Sequence, residues 1–208
     1  MRYYLSEIAK ICGGQLYGKD MEVRDVVTDS RSSAFSDGAM FVAMCGLNHD
    51  SHAYLADMYR MGLRAFMVER YDAQTMPSDA GYVEVGRSID ALQSLAAEHR
   101  ARFRGRVVAV TGSNGKTMVK EWIAASVPSS AALYRSPRSY NSQLGVALSL
   151  LMMPDDAKIA VIEAGISARG EMQTLERMIA PDTVIFTSLG DAHQANFESV
   201  EQKIAEKL

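Results

Sequence analysis

The stretch "AVTGSNGKTMVKEW", residues 109–122, joins a strand pattern to a helix pattern and decides the fold of the second half of the chain. The residues just before the loop, "VVAV" at 107–110, form an apolar run of the kind that is buried on both faces of a parallel sheet. Gly112 and Gly115 allow a tight turn whose backbone N–H groups can approach phosphate oxygens. A helix predicted over residues 116–127 points its positive end at the same place. The stretch therefore predicts a phosphate-binding loop.

The side chains of this loop suit ATP. Lys116 can reach the outer phosphates, and the Thr117 hydroxyl can bind Mg²⁺. The general phosphate-loop pattern has a further glycine where this chain has Val110, so the loop is a shortened form with two residues between its glycines. A glycine-rich turn with an exposed lysine is the alternative. The residues that we predict to bind the phosphates are Thr111, Gly112, Ser113, Asn114, Gly115, Lys116 and Thr117.

Composition and charge narrow the class of protein. The 208 residues are 48% hydrophobic and 23% charged, which is typical of a globular protein. A net charge of -3 gives no basic field for nucleic acid, so no nucleic-acid partner is expected. The apolar runs are too short to span a membrane, so no membrane insertion is expected. Cys12 and Cys45 lack metal or redox spacing, which favours two reduced thiols and a cytoplasmic location.

Strand and helix patterns alternate along the chain, which predicts the α/β class. Residues 1–104 are interpreted as a small N-terminal α/β substrate domain, with helices capped by Ser6 and by Ser88. Residues 105–208 are interpreted as the start of a parallel-sheet, phosphate-loop ATP-binding domain with three core strands. Three strands make a thin sheet, and the last residues show no closing element. We therefore expect a truncated domain and a longer parent protein.

Two polar residues follow the later strands of the predicted sheet. Glu163 ends "KIAVIE", and His193 lies just beyond "TVIFTSLG". Since the carboxyl ends of parallel strands share one edge, both should lie near the phosphate loop. A carboxylate and an imidazole there can bind Mg²⁺. The alternatives are a helix cap for Glu163 and a surface loop residue for His193.

Three segments carry a resemblance to the Mur ligases, the ATP-dependent enzymes that add amino acids to the peptidoglycan precursor. "TGSNGKT" at 111–117 resembles their phosphate loop, which folylpolyglutamate synthases share. "EAGISARGEM" at 163–172 resembles the E-x-G-x-S-x-x-G-E pattern of the branch that adds D-alanyl-D-alanine. "YNSQLGVALSLL" at 140–151 resembles the family's N-N-x-x-G-x-P-x-T-L-L segment, and this match makes Asn141 a candidate substrate contact.

The N-terminal section resembles the domain with which the family binds the UDP end of its substrate. The D-S-R turn ends at Arg31, and the family's D-G-H motif occurs as "DSH" at 50–52. The side chains here offer donors and acceptors for a uracil and a diphosphate. A polar turn that hydrogen-bonds its own backbone is the alternative. The candidate substrate contacts in this section are Ser30, Arg31, Asn48 and His49.

The resemblance also implies a carbamylated lysine fourteen or fifteen residues after the metal-binding histidine. Lys207 stands fourteen residues after His193. On a helix predicted from Ser199, Lys207 falls at the border of an apolar stripe, which fits a partly buried lysine. Burial favours the neutral amine that reacts with CO₂. The alternatives are an ordinary lysine at a helix edge, or Lys203 as the modified residue.

The resemblance implies a ligase of the acid–D-amino-acid type, which joins D-alanyl-D-alanine to UDP-MurNAc-tripeptide through an acyl phosphate. Two Mg²⁺ ions are implied, one held by Thr117 and Glu163, the other by His193 and carbamylated Lys207. The implied catalytic residues are Lys116, Glu163, His193 and Lys207. The family's remaining central and C-terminal domains are missing, so we expect the chain to be inactive without them. The alternatives are another Mur ligase, a folylpolyglutamate synthase-like ligase, or a non-catalytic nucleotide-binding module.

Overall fold

The computed structural model describes residues 1–31, 35–46, 49–166, 168 and 170–188. The chain divides into two compact units, Met1–Leu95 and Ala96–Leu208. The predicted boundary between a substrate domain and an ATP-binding domain at residues 104 and 105 remains a proposal. No helix among the described residues is both long and apolar enough to cross a membrane.

The first unit contains a mixed five-stranded sheet. Four strands run parallel in the order β7, β6, β5, β4, and β2 pairs antiparallel with β7 at the edge. A separate antiparallel pair joins β1 and β3. The elements are β1 (Tyr3–Tyr4), α1 (Leu5–Cys12), β2 (Gln15–Gly18), β3 (Glu22–Val23), β4 (Asp25–Val27), β5 (Ala39–Val42), a 3-10 turn (Ser51–Tyr54), α2 (Leu55–Arg60), β6 (Ala65–Val68), β7 (Gly81–Glu84) and the first half of α3 (Ser88–Arg102), whose residues from Ala96 onward belong to the second unit.

The core of this unit lies on the two central strands. Every residue of β5, "AMFV", and of β6, "AFMV", is buried, as expected for strands covered on both faces. Phe41 pairs with Phe66, and Phe66 stacks on Tyr82 with 5.2 Å between ring centroids. Burial of three such aromatic side chains is a large part of the hydrophobic stabilisation of the unit.

The helix caps predicted at Ser6 and Ser88 are wrong. Helix α1 begins at Leu5 with Tyr4 at its N-cap, while the Ser6 hydroxyl donates to Asp20 Oδ2 at 2.7 Å. Helix α3 begins at Ser88 itself, and this buried hydroxyl has no hydrogen-bond partner among the described residues. Serine favours caps only where its oxygen can reach an amide two or three residues ahead, and neither hydroxyl makes such a bond here.

The second unit confirms the predicted parallel sheet. Four strands, all parallel, lie in the order β11, β8, β10, β9. The described part of the sheet thus has one strand more than predicted. The missed strand, β9, has three residues, and "LYR" is too short and too polar to be recognised from its pattern. The elements are β8 (Arg106–Thr111), α4 (Lys116–Ser126), a 3-10 turn (Ser129–Ala131), β9 (Leu133–Arg135), α5 (Gln143–Leu151), β10 (Ile159–Glu163), α6 (Glu171–Ile179) and β11 (Thr183–Phe186).

The register of β8 and β10 places the functional groups. Val107 pairs with Ala160 and Val110 pairs with Glu163, so the two strands end side by side. Apart from the partly buried Val108, the apolar residues between these ends are buried, which holds the strands in one register, because a shift by one residue would turn buried side chains outward. The loop after β8 and the carboxylate of Glu163 therefore meet at the carboxyl edge of the sheet, as predicted.

The two cysteines are free thiols. Cys12 is partly buried under the first residues of α3, and its Sγ lies 3.2 Å from the Ala91 carbonyl oxygen. Burial raises the pKa of the Cys12 thiol to about 12, so it stays protonated and unreactive near neutral pH.

Candidate phosphate-binding site

The loop between β8 and α4 has the backbone geometry that binds anions. Gly112 has φ +140° and Gly115 has φ +80°, both in the region that favours glycine. Gly115 is the N-cap residue of α4, and the first helical hydrogen bond joins the Val119 N–H to its carbonyl oxygen at 2.9 Å. The amides of residues 116–118, which lie between Gly115 and Val119, have no acceptor within the helix. These amides and the helix dipole give the loop a positive end for a phosphate.

The two residues after β11 brace the loop. Ser113 N–H donates to the Ser188 carbonyl oxygen at 2.7 Å, and Asn114 N–H donates to Ser188 Oγ at 3.1 Å. The Thr187 hydroxyl donates to the Asn114 carbonyl oxygen at 2.6 Å. The loop is therefore preformed, and two of its amides are already engaged. That Ser113 and Asn114 bind phosphate remains a proposal.

Substitution of Gly112 is expected to disturb this brace. An alanine Cβ at residue 112 would lie 2.2 Å from Thr187 Oγ1 and 2.9 Å from Ser188 N, in a backbone conformation that alanine avoids. Gly112→Ala should lower the free energy of unfolding by about 1–3 kcal/mol and weaken ATP binding. Denaturant unfolding and calorimetric titration with ATP measure the two effects. Gly86→Ala is the control, because its Cβ would meet nothing within 4 Å. Equal losses in both variants would contradict the brace.

Lys116 lies against the loop from the first turn of α4. Its Nζ donates to the Gly112 carbonyl oxygen at 2.9 Å and lies 3.4 Å from that of Ser113. Burial lowers the pKa of Lys116, and the negative charge of Glu163 partly opposes this shift. The ammonium thus lies against the backbone of the loop, and the lysine at this place in a phosphate loop is the one that reaches the outer phosphates of a nucleotide.

Glu163 is the centre of a buried polar cluster. It is only 1% exposed, and its two carboxylate oxygens lie 3.0 and 2.9 Å from the Thr117 hydroxyl. Asn141 Nδ2 donates to Oε1 at 2.7 Å. The structure thus brings together three residues that the sequence singled out separately. A hydroxyl and a carboxylate form an oxygen donor set of the kind that Mg²⁺ prefers, so these two residues fit a divalent cation.

Two members of the cluster were missed in the sequence. Lys120 Nζ lies 3.5 Å from Glu163 Oε2, and the Ser136 hydroxyl accepts the Glu163 N–H at 3.1 Å. Lys120 follows Lys116 by one helical turn, so both lie on the same side of α4, and this spacing was the available signal. Ser136 carried no signal, because it follows a strand that was not predicted.

Three predicted site residues, Asn48, His193 and Lys207, lie outside the described residues. Where the chain is described, no group of three or more His, Cys, Asp or Glu side chains is arranged to hold a metal ion. The second cation site predicted from His193 and Lys207 therefore remains a proposal.

The first unit has a cleft of about 910 Å³ that is lined by the D-S-R turn and by His49. Ser30, Arg31 and His49, three of the predicted substrate contacts, all line it. Arg31 is highly exposed and pairs with Asp29 at 2.8 Å, and this hydrogen bond lowers the pKa of Asp29 to about 2. The turn also bonds its own backbone, since Arg31 N–H donates to Asp29 at 3.0 Å. Asp29 holds the guanidinium at the wall of the cleft.

The "DSH" motif beside this cleft has a structural role. His52 Nδ1 lies 2.7 Å from Asp50 Oδ1, and His52 Nε2 accepts the Glu69 N–H at 2.9 Å. Because Nε2 is an acceptor, the proton of the neutral ring is on Nδ1 and is donated to Asp50. The hydrogen bond from Arg70 is the main cause that lowers the pKa of Asp50, with help from His52. The motif fixes the segment after His49 to the end of β6.

Comparison with known proteins agrees with this geometry. A family model described as the Mur ligase middle domain matches residues 110–208. A UDP-N-acetylmuramoyl-tripeptide–D-alanyl-D-alanine ligase from Bacillus subtilis is 30% identical over 207 residues, which are 98% of this chain and 45% of that protein. The Escherichia coli protein of the same name is 32% identical over 196 residues, which are 94% of this chain and 42% of that protein. The chain thus spans less than half the length of these relatives.

Solved structures of MurF ligases also superpose on this chain. MurF from Acinetobacter baumannii superposes with a TM-score of 0.89 at 25% identity, over 100% of this chain and 45% of that chain. MurF ligase from Thermotoga maritima, solved in complex with ADP, superposes with a TM-score of 0.78 at 31% identity, over 89% of this chain and 42% of that chain.

Proposed function

We propose that this chain, which matches the Mur ligase middle domain over residues 110–208, is part of a ligase that adds D-alanyl-D-alanine to UDP-MurNAc-tripeptide at the expense of ATP. The names of the relatives that match almost the whole chain support this substrate pair. The observation that carries the proposal is the cluster of Thr117, Asn141 and Glu163 directly beside the phosphate loop. A phosphate loop with no chemistry to perform needs no buried carboxylate at its base.

The proposed reaction has two steps. The terminal carboxylate of the tripeptide attacks the γ-phosphorus of ATP, which forms an acyl phosphate and releases ADP. The amine of D-alanyl-D-alanine then attacks the acyl carbon and the amide bond forms. Inorganic phosphate leaves with the electrons of the broken C–O bond and takes up the proton that the amine nitrogen loses. Lys116 and the first amides of α4 stabilise negative charge on the transferring phosphoryl group.

Two cation sites belong to the proposal. Thr117 and Glu163 would hold one Mg²⁺, since their oxygens lie within 3.0 Å of each other. His193 and a carbamylated Lys207 would hold the other. The ions would neutralise charge where several anions meet. The chain's own residues position the site: Asn141 orients the carboxylate of Glu163, and Lys116 holds the loop.

The first unit would bind the UDP end of the substrate. The cleft beside Arg31 and His49 combines an exposed guanidinium, a hydroxyl and an imidazole, which suit a diphosphate and a uracil. Ser30 and Asn48 complete the proposed contacts. A cytoplasmic location is part of the same proposal, since ATP and unpaired thiols are both typical of that compartment.

Calorimetric titration of the chain with UDP-MurNAc-tripeptide, with a folate and with ATP tests the proposal. We expect heat from the UDP-linked peptide and from ATP, and none from the folate. Binding of the folate would indicate a folylpolyglutamate synthase-like ligase. Binding of ATP without either substrate would indicate a nucleotide-binding module.

Ligation itself is a separate test. The dipeptide site of relatives more than twice as long, and the residues that complete catalysis beside the bound ATP, are expected to lie in the part of those relatives that this chain does not match. The purified chain should therefore release no phosphate from ATP when both substrates are present. Measurable ATP-dependent ligation by the chain would contradict the proposal that further domains complete the site.

A further inference from the structure

Lys120 is a fully buried lysine beside Glu163. Its Nζ donates to the carbonyl oxygen of Ser136 at 2.9 Å and to that of Arg138. It lies 3.5 Å from Glu163 Oε2 and 3.5 Å from Glu121 Oε1. Every neighbour is an acceptor, which matches an ammonium with three donors and no acceptor. A buried cation is stable only when it is paired in this way.

These contacts join α4 to the segment that follows β9. Ser136 accepts the Glu163 N–H, and its carbonyl oxygen accepts from Lys120. A few residues further, Asn141 donates to the Glu163 carboxylate, and its carbonyl oxygen accepts the Gly165 N–H at 2.8 Å. Lys120 is therefore part of the framework that holds Glu163 and Asn141 in one orientation.

The charges around this carboxylate do not favour a lone metal ion. Glu163 has the ammonium of Lys120 at 3.5 Å, and the positive charge of Lys116 also acts on it. Glu121, the other carboxylate near Lys120, is already paired with Arg135 Nε at 2.9 Å. Among the residues that the structure describes, the cluster thus has three cations and two carboxylates, a net positive charge. A divalent cation binding at Glu163 would meet the like charge of both lysines.

We propose that Lys120 is a positioning residue that acts as the built-in counter-ion of Glu163, so that a divalent cation binds at Thr117 and Glu163 together with a nucleotide and not before it. The phosphates of the nucleotide supply the negative charge that the cluster lacks. This inference rests on the proposed function, which places a nucleotide and a cation at this loop. Removal of the Lys120 charge should therefore strengthen binding of the free cation while it weakens the cooperation between cation and nucleotide.

Mn²⁺ is a suitable probe, because its free concentration is measured directly by electron paramagnetic resonance. Mn²⁺ is titrated into the chain with and without ATP. We expect Lys120→Met to bind Mn²⁺ alone about tenfold more tightly than the unaltered chain, because a like charge is removed from a desolvated site. The factor by which ATP strengthens Mn²⁺ binding should fall correspondingly. A merely structural defect would instead weaken Mn²⁺ binding both without ATP and with it.

Three further variants complete the test. Lys158→Met makes the same change at an exposed lysine of the same unit and should leave Mn²⁺ binding unchanged. Lys120→Arg keeps the charge and should bind Mn²⁺ as the unaltered chain does. If Lys120→Met does not fold, Lys120→Gln removes the charge but keeps donors for the two carbonyl oxygens, and the same tightening is expected.

The outcomes separate the two proposals. Equal or weaker binding of Mn²⁺ alone in the folded, uncharged variant overturns the role of Lys120. If the unaltered chain binds no ATP with or without Mn²⁺, the proposed function fails. In that case, the comparison of free Mn²⁺ binding between the unaltered chain and the variant still decides whether Lys120 acts as the counter-ion of Glu163.

Discussion

Glu163→Ala is expected to lower the free energy of unfolding of the chain by about 3–5 kcal/mol, because it leaves the Lys120 ammonium buried without its carboxylate partner. The substitution also removes the acceptor of Thr117 and of Asn141. Buried donors that lose their partner cost more than the hydrogen bond contributed. Urea unfolding of the 208-residue chain, followed by circular dichroism, measures the change.

Two further variants serve as comparisons for Glu163→Ala. Glu163→Gln keeps the size of the side chain and one acceptor oxygen, so it should destabilise the chain less than alanine does. Glu98→Ala removes an exposed carboxylate that pairs with Arg102 at 3.0 Å, and should cost about 0.5 kcal/mol or less. If Glu163→Ala costs no more than Glu98→Ala, then Glu163 is not the buried partner of Lys120.

Lys116→Met is expected to have the largest effect on catalysis. In a complete ligase that contains this region, kcat should fall by about 10²–10³, the usual loss when one preorganised donor to a transition-state oxygen is removed. Lys116 already lies against the carbonyl oxygens of Gly112 and Ser113, so its charge needs little reorganisation to act on a phosphoryl group. Release of inorganic phosphate at saturating substrates measures kcat.

The control for this variant is again Lys158→Met, which should keep full activity. Calorimetric binding of the UDP-linked substrate should be the same in both variants, because that substrate is proposed to bind through the first unit. An unchanged kcat in Lys116→Met would exclude Lys116 from the transfer of phosphate. If Lys116→Met lost binding of the UDP-linked substrate as well as activity, the variant would have a general folding defect.

Those features that depend on short stretches were predicted well. The buried strand before residue 111, the glycines at 112 and 115 and the start of α4 at Lys116 all occur as expected. The parallel direction of β8, β10 and β11 was expected as well. These features follow from apolar patterning and from the conformational freedom of glycine, both of which act within a few neighbouring residues.

Features that depend on neighbours in space were not predictable in this way. The cap at Ser6 was wrong, because Asp20 holds that hydroxyl. Strand β9 was missed, because its three residues are recognisable as a strand only from their pairing with β10. The role of His52 as a link to Glu69 also depends on where β6 ends.

The local sequence was sufficient to predict a glycine-rich loop between strand and helix on a parallel sheet, and, together with the family resemblance, to single out Thr117, Asn141 and Glu163 as candidates. Only the folded chain placed these three in one hydrogen-bonded cluster and added Lys120 and Ser136 to it. Thr117 and Asn141 are 46 and 22 residues away from Glu163 along the chain. Contacts at that separation depend on strand register and on the path of the segment after β9, which are set by the packing of the whole sheet and not by local propensity.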